Sequence, residues 1–408
     1  MKCEIINIGT ELLDGSMVNT NLALLSERLK ELDCEVNRAI IIGDDEGQIF
    51  EAIGDSFSRA KMVITTGGLG PTVDDLTKKA AAKFFKRRLT VNNKVLKNVE
   101  EYYRKRDIHP PELVYNQALI PQGAKVLTNL KGTAPGLIFE ERDKILVLLP
   151  GVPLELNYLL ERELAPYLKK RSKFSPGVSR CFRIYGLTEA ELSERIKKFL
   201  KRKEFKFSFL PRQIEVVLKI EARGDKANGL IEGLEEEIRK ILGDAIYGIE
   251  KEDLEKVVGL LLSMKRKKIA VAESCTGGLI SHRLTNVPGS SQYFEEGFVV
   301  YSNQSKKSLL GLDELLLKEK GAVSEEAARA MATAVKNKAK VDLGLAVTGI
   351  AGPGGTTKNK PIGLIFIALA KEDKTIVQRF QFHGERELVK LKAAQAALNM
   401  VRLSFIKK

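Results

Sequence analysis

Ile269-Ala270-Val271-Ala272-Glu273-Ser274-Cys275-Thr276-Gly277-Gly278-Leu279-Ile280-Ser281-His282-Arg283-Leu284 carries the pattern that decides the fold. The leading apolar residues read as a strand, the Ser-Cys-Thr-Gly-Gly segment as a tight turn, and the last six residues as the opening of an amphipathic helix. A strand–turn–helix unit of this kind belongs to a sheet flanked by helices. The turn holds a hydroxyl and a thiol. A helix N-terminus offers unpaired N–H groups and a positive dipole end, so a nucleophile placed there has oxyanion donors beside it. Ser and Thr before a helix are also ordinary caps, and this run alone leaves both readings open.

The same alternation recurs outward from this unit. Residues 3–8, 38–42 and 62–66 read as strands, and 19–32, 48–60 and 74–85 as helices. That order gives a mainly parallel sheet with helices on both faces. Ligands of such sheets bind at the carboxyl ends of strands, where Gly9-Thr10-Glu11, Gly43-Asp44-Asp45 and the 67–71 loop lie. A smaller α/β stretch follows, opened by Phe174 and Pro176-Gly177, with strands at 180–185, 205–209 and 215–222 and helices at 189–200 and 229–242. The third stretch resumes α/β order. It has strands at 297–301, 343–347, 362–369 and 375–382, and helices at 324–339 and 386–403. We expect two three-layer α/β domains, 1–170 and 252–408, joined by a small α/β module at 174–250.

Composition narrows the function classes. The chain has 408 residues and is 44% hydrophobic, enough to bury real cores. No apolar run approaches the ~20 residues of a membrane span. The first residues form a strand without a signal-peptide core, so a cytoplasmic location is expected. Four scattered cysteines without a CxxC exclude a disulfide framework and a zinc knuckle. Three histidines without a paired motif leave no His-based metal site or Ser-His-Asp triad. Any metal must rest on carboxylates, which favours hard ions. The net charge of +14 fits phosphorylated ligands or nucleic acid, but equally a Lys/Glu-rich surface suited to heat, the reading we favour. The basic runs Lys169-Lys170-Arg171 and Lys265-Arg266-Lys267-Lys268 lack interleaved aromatics.

Ser274 has neither GxSxG nor SxxK surroundings, so its base must come from elsewhere. Tyr301-Ser302-Asn303-Gln304-Ser305-Lys306 begins at a strand end, and neighbouring strand ends can bring Tyr301 and Lys306 to Ser274. A desolvated, neutral Lys can take a Ser proton, and a Tyr hydroxyl can bridge or orient the pair. Cys275 is the rival nucleophile, because a thiolate at a helix N-terminus is activated. The 349–355 loop, Gly-Ile-Ala-Gly-Pro-Gly-Gly, permits close backbone approach and makes an anion nest. Near the N-terminus, Thr66-Gly67-Gly68-Leu69-Gly70-Pro71-Thr72-Val73-Asp74-Asp75-Leu76-Thr77 joins a glycine-rich loop to two carboxylates. That combination suits a metal bridging phosphates, with Asp44 and Glu11 at neighbouring strand ends.

These motifs together resemble the CinA family over the whole chain. The last ~155 residues resemble its PncC-type nicotinamide mononucleotide deamidases, through 272–278, Gly289-Ser290-Ser291, 297–302 with Asn303 and Lys306, Gly321-Ala322-Val323-Ser324 and 349–353. The resemblance implies hydrolysis of the nicotinamide carboxamide to nicotinate mononucleotide and ammonia without a metal. Ser274 would be the nucleophile, Lys306 the base and Tyr301 its partner. Substrate contacts are implied for Cys275, Thr276, Gly277, Ser290, Ser291, Gly349, Ile350, Ala351 and Gly352, and for Arg386 at the phosphate.

The first 170 residues resemble the molybdopterin-binding MoaB/MogA fold and the CinA N-terminal domain. The motifs are 9–13, 43–44, 66–77, Asn116-Gln117-Ala118, 132–136 and 149–153. This implies ADP-ribose pyrophosphatase activity with a divalent ion (Mg²⁺, Mn²⁺ or Co²⁺). Asp44 and Asp75 match the catalytic acids of relatives, Asp74 and Glu11 would complete the metal set, and Gly67, Gly68, Gly70 and Thr72 would bind substrate. Lys61 departs from the relatives' usual Asp, at a position expected to lie away from the phosphates. The fold alone leaves molybdopterin binding open. The middle stretch resembles the family's KH-like module but lacks the GxxG loop that clamps a nucleic-acid backbone. It reads as a spacer or dimer element of a homodimer. Nucleic-acid binding is not expected, although the family's association with competence keeps a non-enzymatic accessory role as the alternative.

Overall fold

A computed structural model describes residues 1–171, 177–372 and 374–406. Phe174 and Pro176, where the middle stretch was expected to open, lie outside the described residues, as do Lys407 and Lys408. In chain order the strands are β1 (Lys2–Ile8), β2 (Glu35–Ile42), β3 (Met62–Thr66), β4 (Leu89–Val91), β5 (Leu119–Pro121), β6 (Lys125–Leu127), β7 (Gly136–Glu141), β8 (Lys144–Leu149), β9 (Val178–Ile184), β10 (Phe205–Pro211), β11 (Val216–Ala222), β12 (Ile246–Ile249), β13 (Ile269–Glu273), β14 (Phe294–Val299), β15 (Leu343–Gly349), β16 (Leu364–Lys371) and β17 (Lys374–Gln381). The chain divides into two compact units, Met1–Gly177 and Val178–Lys408.

The first unit is built on a sheet of order β2-β1-β3-β8-β7-β6. Strands β2, β1, β3 and β8 run parallel, and β7 and β6 are antiparallel. Successive side chains of a strand face opposite ways, so a run apolar at every position buries both faces. Ile6, Ile8 and Val63 pack on one side with Ile49, Ile53 and Phe57. Cys3, Ile5 and Ile64 pack on the other with Leu25 and Leu29. The helix Glu46–Arg59 buries Ile49, Ala52, Ile53, Ser56 and Phe57, a helical spacing, and the Asp45 carboxylate caps it at Gln48 N–H. The expected helix at 74–85 begins only at Thr77, because Asp75 is held in the preceding loop. Lys61 sits at the opening of β3, at the far end from that loop, and pairs with Asp143 at 2.9 Å.

The second unit holds two sheets. The four-stranded one, β10-β11-β9-β12, is antiparallel and packs on the helices Glu189–Ile196 and Ala227–Leu242. Strand β12 escaped the sequence reading because it is four residues long with an irregular register around Gly248. The five-stranded sheet has the order β14-β13-β15-β16-β17, with β13 parallel to both neighbours and β16 and β17 antiparallel. Helices Leu254–Met264 and Arg386–Ile406 contribute to the core on one face, and Glu325–Ala339 to that on the other. Strand β14 lies earlier than the expected 297–301, since the next helix is already capped at Ser302.

Side chains tie these two sheets into one unit. The buried Arg402 guanidinium donates to Ile246 O at 3.2 Å and Asp244 O at 2.5 Å. Arg183 reaches Asp253 at 2.6 Å and also pairs with the buried Glu215. The sequence predicts three separate stretches; the contacts gather the second and third together. No helix of the described residues is long and apolar enough to cross a membrane.

Candidate active site

Parallel pairing of β13 with β14 and β15 places three carboxyl ends side by side. Ser274 follows β13 and its N–H donates to Val347 O of β15 at 3.0 Å. Val300 follows β14 and its N–H donates to Glu273 O at 2.8 Å. The helix Asn303–Leu310 then starts at a capping box in which Ser302 and Ser305 exchange bonds. Helical side chains lean toward their own N-terminus. Lys306, in the first turn, therefore points back at the strand ends.

Lys306 Nζ lies 3.1 Å from Ser274 Oγ, 2.8 Å from Val300 O and 3.2 Å from Tyr301 O. The side chain is 1% exposed. All three neighbours are neutral acceptors, so the loss of water around an ammonium outweighs the opposing influence of Cys275, and burial pushes the amine down to about 8. In the uncharged amine, two N–H groups match the two carbonyls and the lone pair is left for the Ser274 hydroxyl.

The turn favours the serine over its neighbour. Cys275 is buried in the apolar core, and burial pushes its thiol up to about 12. The helix begins at Leu279, five residues beyond Ser274, with left-handed Gly278 at φ 95 as its cap. Ser274 is thus no helix cap, and its hydroxyl meets the amine instead. Cys275 N–H and Thr276 N–H have no protein carbonyl among the described hydrogen bonds, whereas Gly277 N–H returns to Ser274 O at 3.2 Å.

A cavity of about 240 Å³ opens beside this pair. The 349–355 loop, Ala322-Val323 and Arg386 line it, and no Asp or Glu among the described residues does. Arg386 donates to Gly352 O at 2.5 Å and to the Tyr301 hydroxyl at 2.9 Å. Its charge meets only neutral acceptors in these contacts. Tyr301 therefore joins the pair through its carbonyl, while its ring, 60% exposed, turns toward Arg386. The expected bridging phenol is not formed, because the backbone already fills that side of Lys306. Gly349, Ile350, Ala351 and Gly352 line the cavity. Thr276 is fully buried, and neither it nor Gly277 lines it. Ser290 and Ser291 lie before β14, at the amino end of a strand parallel to β13, and so at the opposite edge of the sheet.

In the first unit the carboxyl ends of β2, β1, β3 and β8 carry a second set of loops. Gly67 takes φ 108, and a Cβ there would stand 2.0 Å from Ile8 O. Gly67→Ala is expected to destabilise this unit by ~2 kcal/mol or more, read as a lower midpoint in chemical unfolding. The Asp75 carboxylate accepts from Gly70 N–H at 2.6 Å, Thr72 N–H at 2.8 Å and the Thr72 hydroxyl at 2.5 Å. It closes the glycine loop on itself, with both oxygens engaged. Asp44 Oδ2 accepts from Thr10 N–H at 2.8 Å and its hydroxyl at 3.0 Å. Glu11 folds over Gly9, and Asp74 is exposed, its carboxyl held below the usual range by a Thr72 hydrogen bond.

Among the described residues no three His, Cys, Asp or Glu side chains form a group that could hold a metal ion. The four expected carboxylates are thus not gathered into one cage, since Asp75 is spent on the loop. What remains, Asp44 Oδ1 and Glu11 at adjacent strand ends, suits a hard cation that keeps its waters and takes phosphate oxygens.

Three family models match along the chain: a probable molybdopterin binding domain over residues 4–170, a damage-inducible protein CinA KH domain over 179–248, and a CinA C-terminal domain over 251–405. A CinA-like protein of Kosmotoga olearia is 42% identical over 410 residues, covering 100% of this chain and 99% of the relative. The chain belongs to the CinA family. Another CinA-like protein, of Dictyoglomus thermophilum, is 42% identical over 98% of each chain. A solved CinA structure from Thermoplasma acidophilum is 32% identical with a TM-score of 0.37, covering 40% of this CinA chain and 95% of that one.

Two groups in this CinA protein went unread in the sequence. Lys390 lies one helical turn beyond Arg386, and a methyl placed on Gly277 would stand 3.8 Å from its Nζ. The i, i+4 spacing of Arg386 and Lys390 on one helix is the signal that could have found it. Lys78 opens the helix after the glycine loop. It is 6% exposed, bonds Asn116 O at 2.9 Å, and burial pushes its amine down to about 8. A Lys in a Lys-Lys pair carries no such signal in sequence.

Proposed function

We propose that the second unit hydrolyses the carboxamide of nicotinamide mononucleotide to nicotinate mononucleotide and ammonia. The observation that carries this reading is the buried contact of Lys306 Nζ with Ser274 Oγ, 3.1 Å, beside a cavity lined by Arg386 and by no Asp or Glu among the described residues. The uncharged Lys306 takes the Ser274 proton as Oγ attacks the carboxamide carbon. The oxyanion falls to the N–H of Cys275, whose residue lines the cavity. The Lys306 ammonium then returns its proton to the departing nitrogen, and ammonia leaves an acyl-serine. Water, activated by the same amine, releases the nicotinate product. Arg386, lacking a carboxylate partner in its described bonds, suits the substrate phosphate.

The test is ammonia release from nicotinamide mononucleotide against the riboside that lacks the phosphate. We expect the wild-type protein to favour the mononucleotide. Arg386→Ala should narrow that preference by about 10–100-fold, chiefly in KM. No ammonia from either compound would end the proposal.

For the first unit the Asp44 and Glu11 carboxylates and the left-handed glycine loop, all at neighbouring strand ends, favour a nucleotide diphosphate carried with Mg²⁺, Mn²⁺ or Co²⁺. Asp44 and Glu11 would hold the ion, which when bound polarises the diphosphate. Asp75 keeps the loop N–H groups in place for phosphate. Incubation with ADP-ribose should give AMP and ribose 5-phosphate, and Asp44→Asn should abolish this while leaving ammonia release intact. Tight molybdopterin binding without ADP-ribose turnover would favour the other reading of this fold.

A further inference from the structure

Glu273 is a buried acid beside the nucleophile that the mechanism above does not use. It ends β13, directly before Ser274, and is 0% exposed. A carboxylate there needs partners for both oxygens or its burial costs several kcal/mol. No lysine or arginine supplies them in its described bonds. Instead Oε2 accepts from Gly278 N–H at 3.0 Å and Ile280 N–H at 3.0 Å. Oε1 accepts from Ser281 N–H at 2.8 Å and the Ser281 hydroxyl at 2.7 Å. The carboxylate thus binds the first turn of the helix Leu279–Thr285 from the residue that precedes the nucleophile.

We infer that Glu273 is a positioning residue that fixes the Ser274 turn. Its backbone belongs to β13 and its side chain holds the helix, so residues 274–277 are pinned at both ends. Between those pins stand Ser274 Oγ and the N–H groups of Cys275 and Thr276, which meet no protein carbonyl among the described hydrogen bonds. The cap also takes up the N–H groups of Gly278, Ile280 and Ser281, so these helix-terminal donors are not left for an oxyanion. Without the clamp the turn can drift relative to Lys306, whose own position is set separately by the Ser302 cap. A misplacement of ~1 Å in such a constellation costs about 100-fold in rate.

This inference rests on the Ser274–Lys306 reading, and its test separates the two. A fluorophosphonate probe reports Ser274 without any amide substrate: Oγ bonds to phosphorus, fluoride leaves, and the Ser proton passes to Lys306. In Glu273→Gln the Nε2 group would face N–H donors. We expect its labelling rate constant and its kcat for ammonia release to fall about 100-fold with KM within about threefold, while the labelled fraction still reaches one per chain. Ser281→Ala, which removes one of four donors, should fall less, and the double variant should be no slower than Glu273→Gln alone. A lower labelled fraction at an unchanged rate constant means a fold-stabilising role only and overturns the inference, as does an unchanged rate in both variants. If Glu273→Gln does not fold, Ser281→Ala decides: a slower rate supports the clamp and an unchanged one refutes it. A wild-type protein labelled at Ser274 that releases no ammonia refutes the substrate reading and leaves the clamp standing.

Discussion

Ser274→Ala is expected to lower ammonia release from nicotinamide mononucleotide by on the order of 10⁴-fold or more, while Cys275→Ala keeps most of the activity. The two residues are adjacent in the turn and both carry a nucleophilic atom. Their surroundings differ. Ser274 Oγ faces the cavity and a buried amine that can take its proton. The Cys275 thiol is packed in the core with Ile280, Val347 and Val389, and with its ionisation pushed up to about 12 it stays protonated at neutral pH. Removing it costs a small amount of packing rather than the chemistry. Trapping with hydroxylamine during turnover, or mass spectrometry of the acyl-enzyme, identifies which residue carries the acyl group. Loss of turnover in the cysteine variant alone would refute the assignment.

Lys306→Ala should cost on the order of 10²–10⁴-fold, and Lys306→Arg should not restore the rate, because a guanidinium stays protonated. The pH dependence follows from the same group. The base must be neutral, and burial brings its pKa down to about 8. The rate therefore rises with pH through about 8 and levels off above it. At pH 6, two units lower, it should be about 100-fold below the plateau. Folding stability shares this group with the opposite reference point. The unfolded lysine titrates near 10.5, so between about 8 and 10.5 the unfolded chain binds more protons and stability rises with pH. Below pH 8 both states carry the proton and the contribution is flat. Lys306→Met should remove the Lys306 share of that rise together with the activity, while Lys78, which burial also brings down to about 8, keeps its own share. A wild-type rate that falls as pH is raised from 6 to 9 would contradict a neutral lysine base.

Much of the architecture was legible from local pattern. Met62–Thr66 and the helix beginning at Arg386 stand where the residues predict them, because each is an apolar or amphipathic run bounded by turn residues. The short β12 was not, since four residues give no period. The 74–85 helix was read three residues too long at its start because Asp74 and Asp75 look like a helix's acidic first turn. In the structure Asp75 accepts three bonds from the loop before it. The pairing of Ser274 with Lys306 was legible as a possibility of neighbouring strand ends and as a family resemblance. The role of the Tyr301 phenol was not, because a sequence does not say whether a residue presents its ring or its carbonyl.

The amino-acid order by itself determined three α/β stretches, a strand–turn–helix carrying Ser274 and a strand end followed by Lys306, since each depends on residues a few positions apart. Only the tertiary structure decided that Lys306 is dry, that Cys275 is buried, and that Arg386 joins Gly352 to the Tyr301 hydroxyl at the cavity. Those properties come from strands β13, β14 and β15 lying side by side. Exclusion of water and the direction of a side chain belong to that three-dimensional neighbourhood and are written in no single segment.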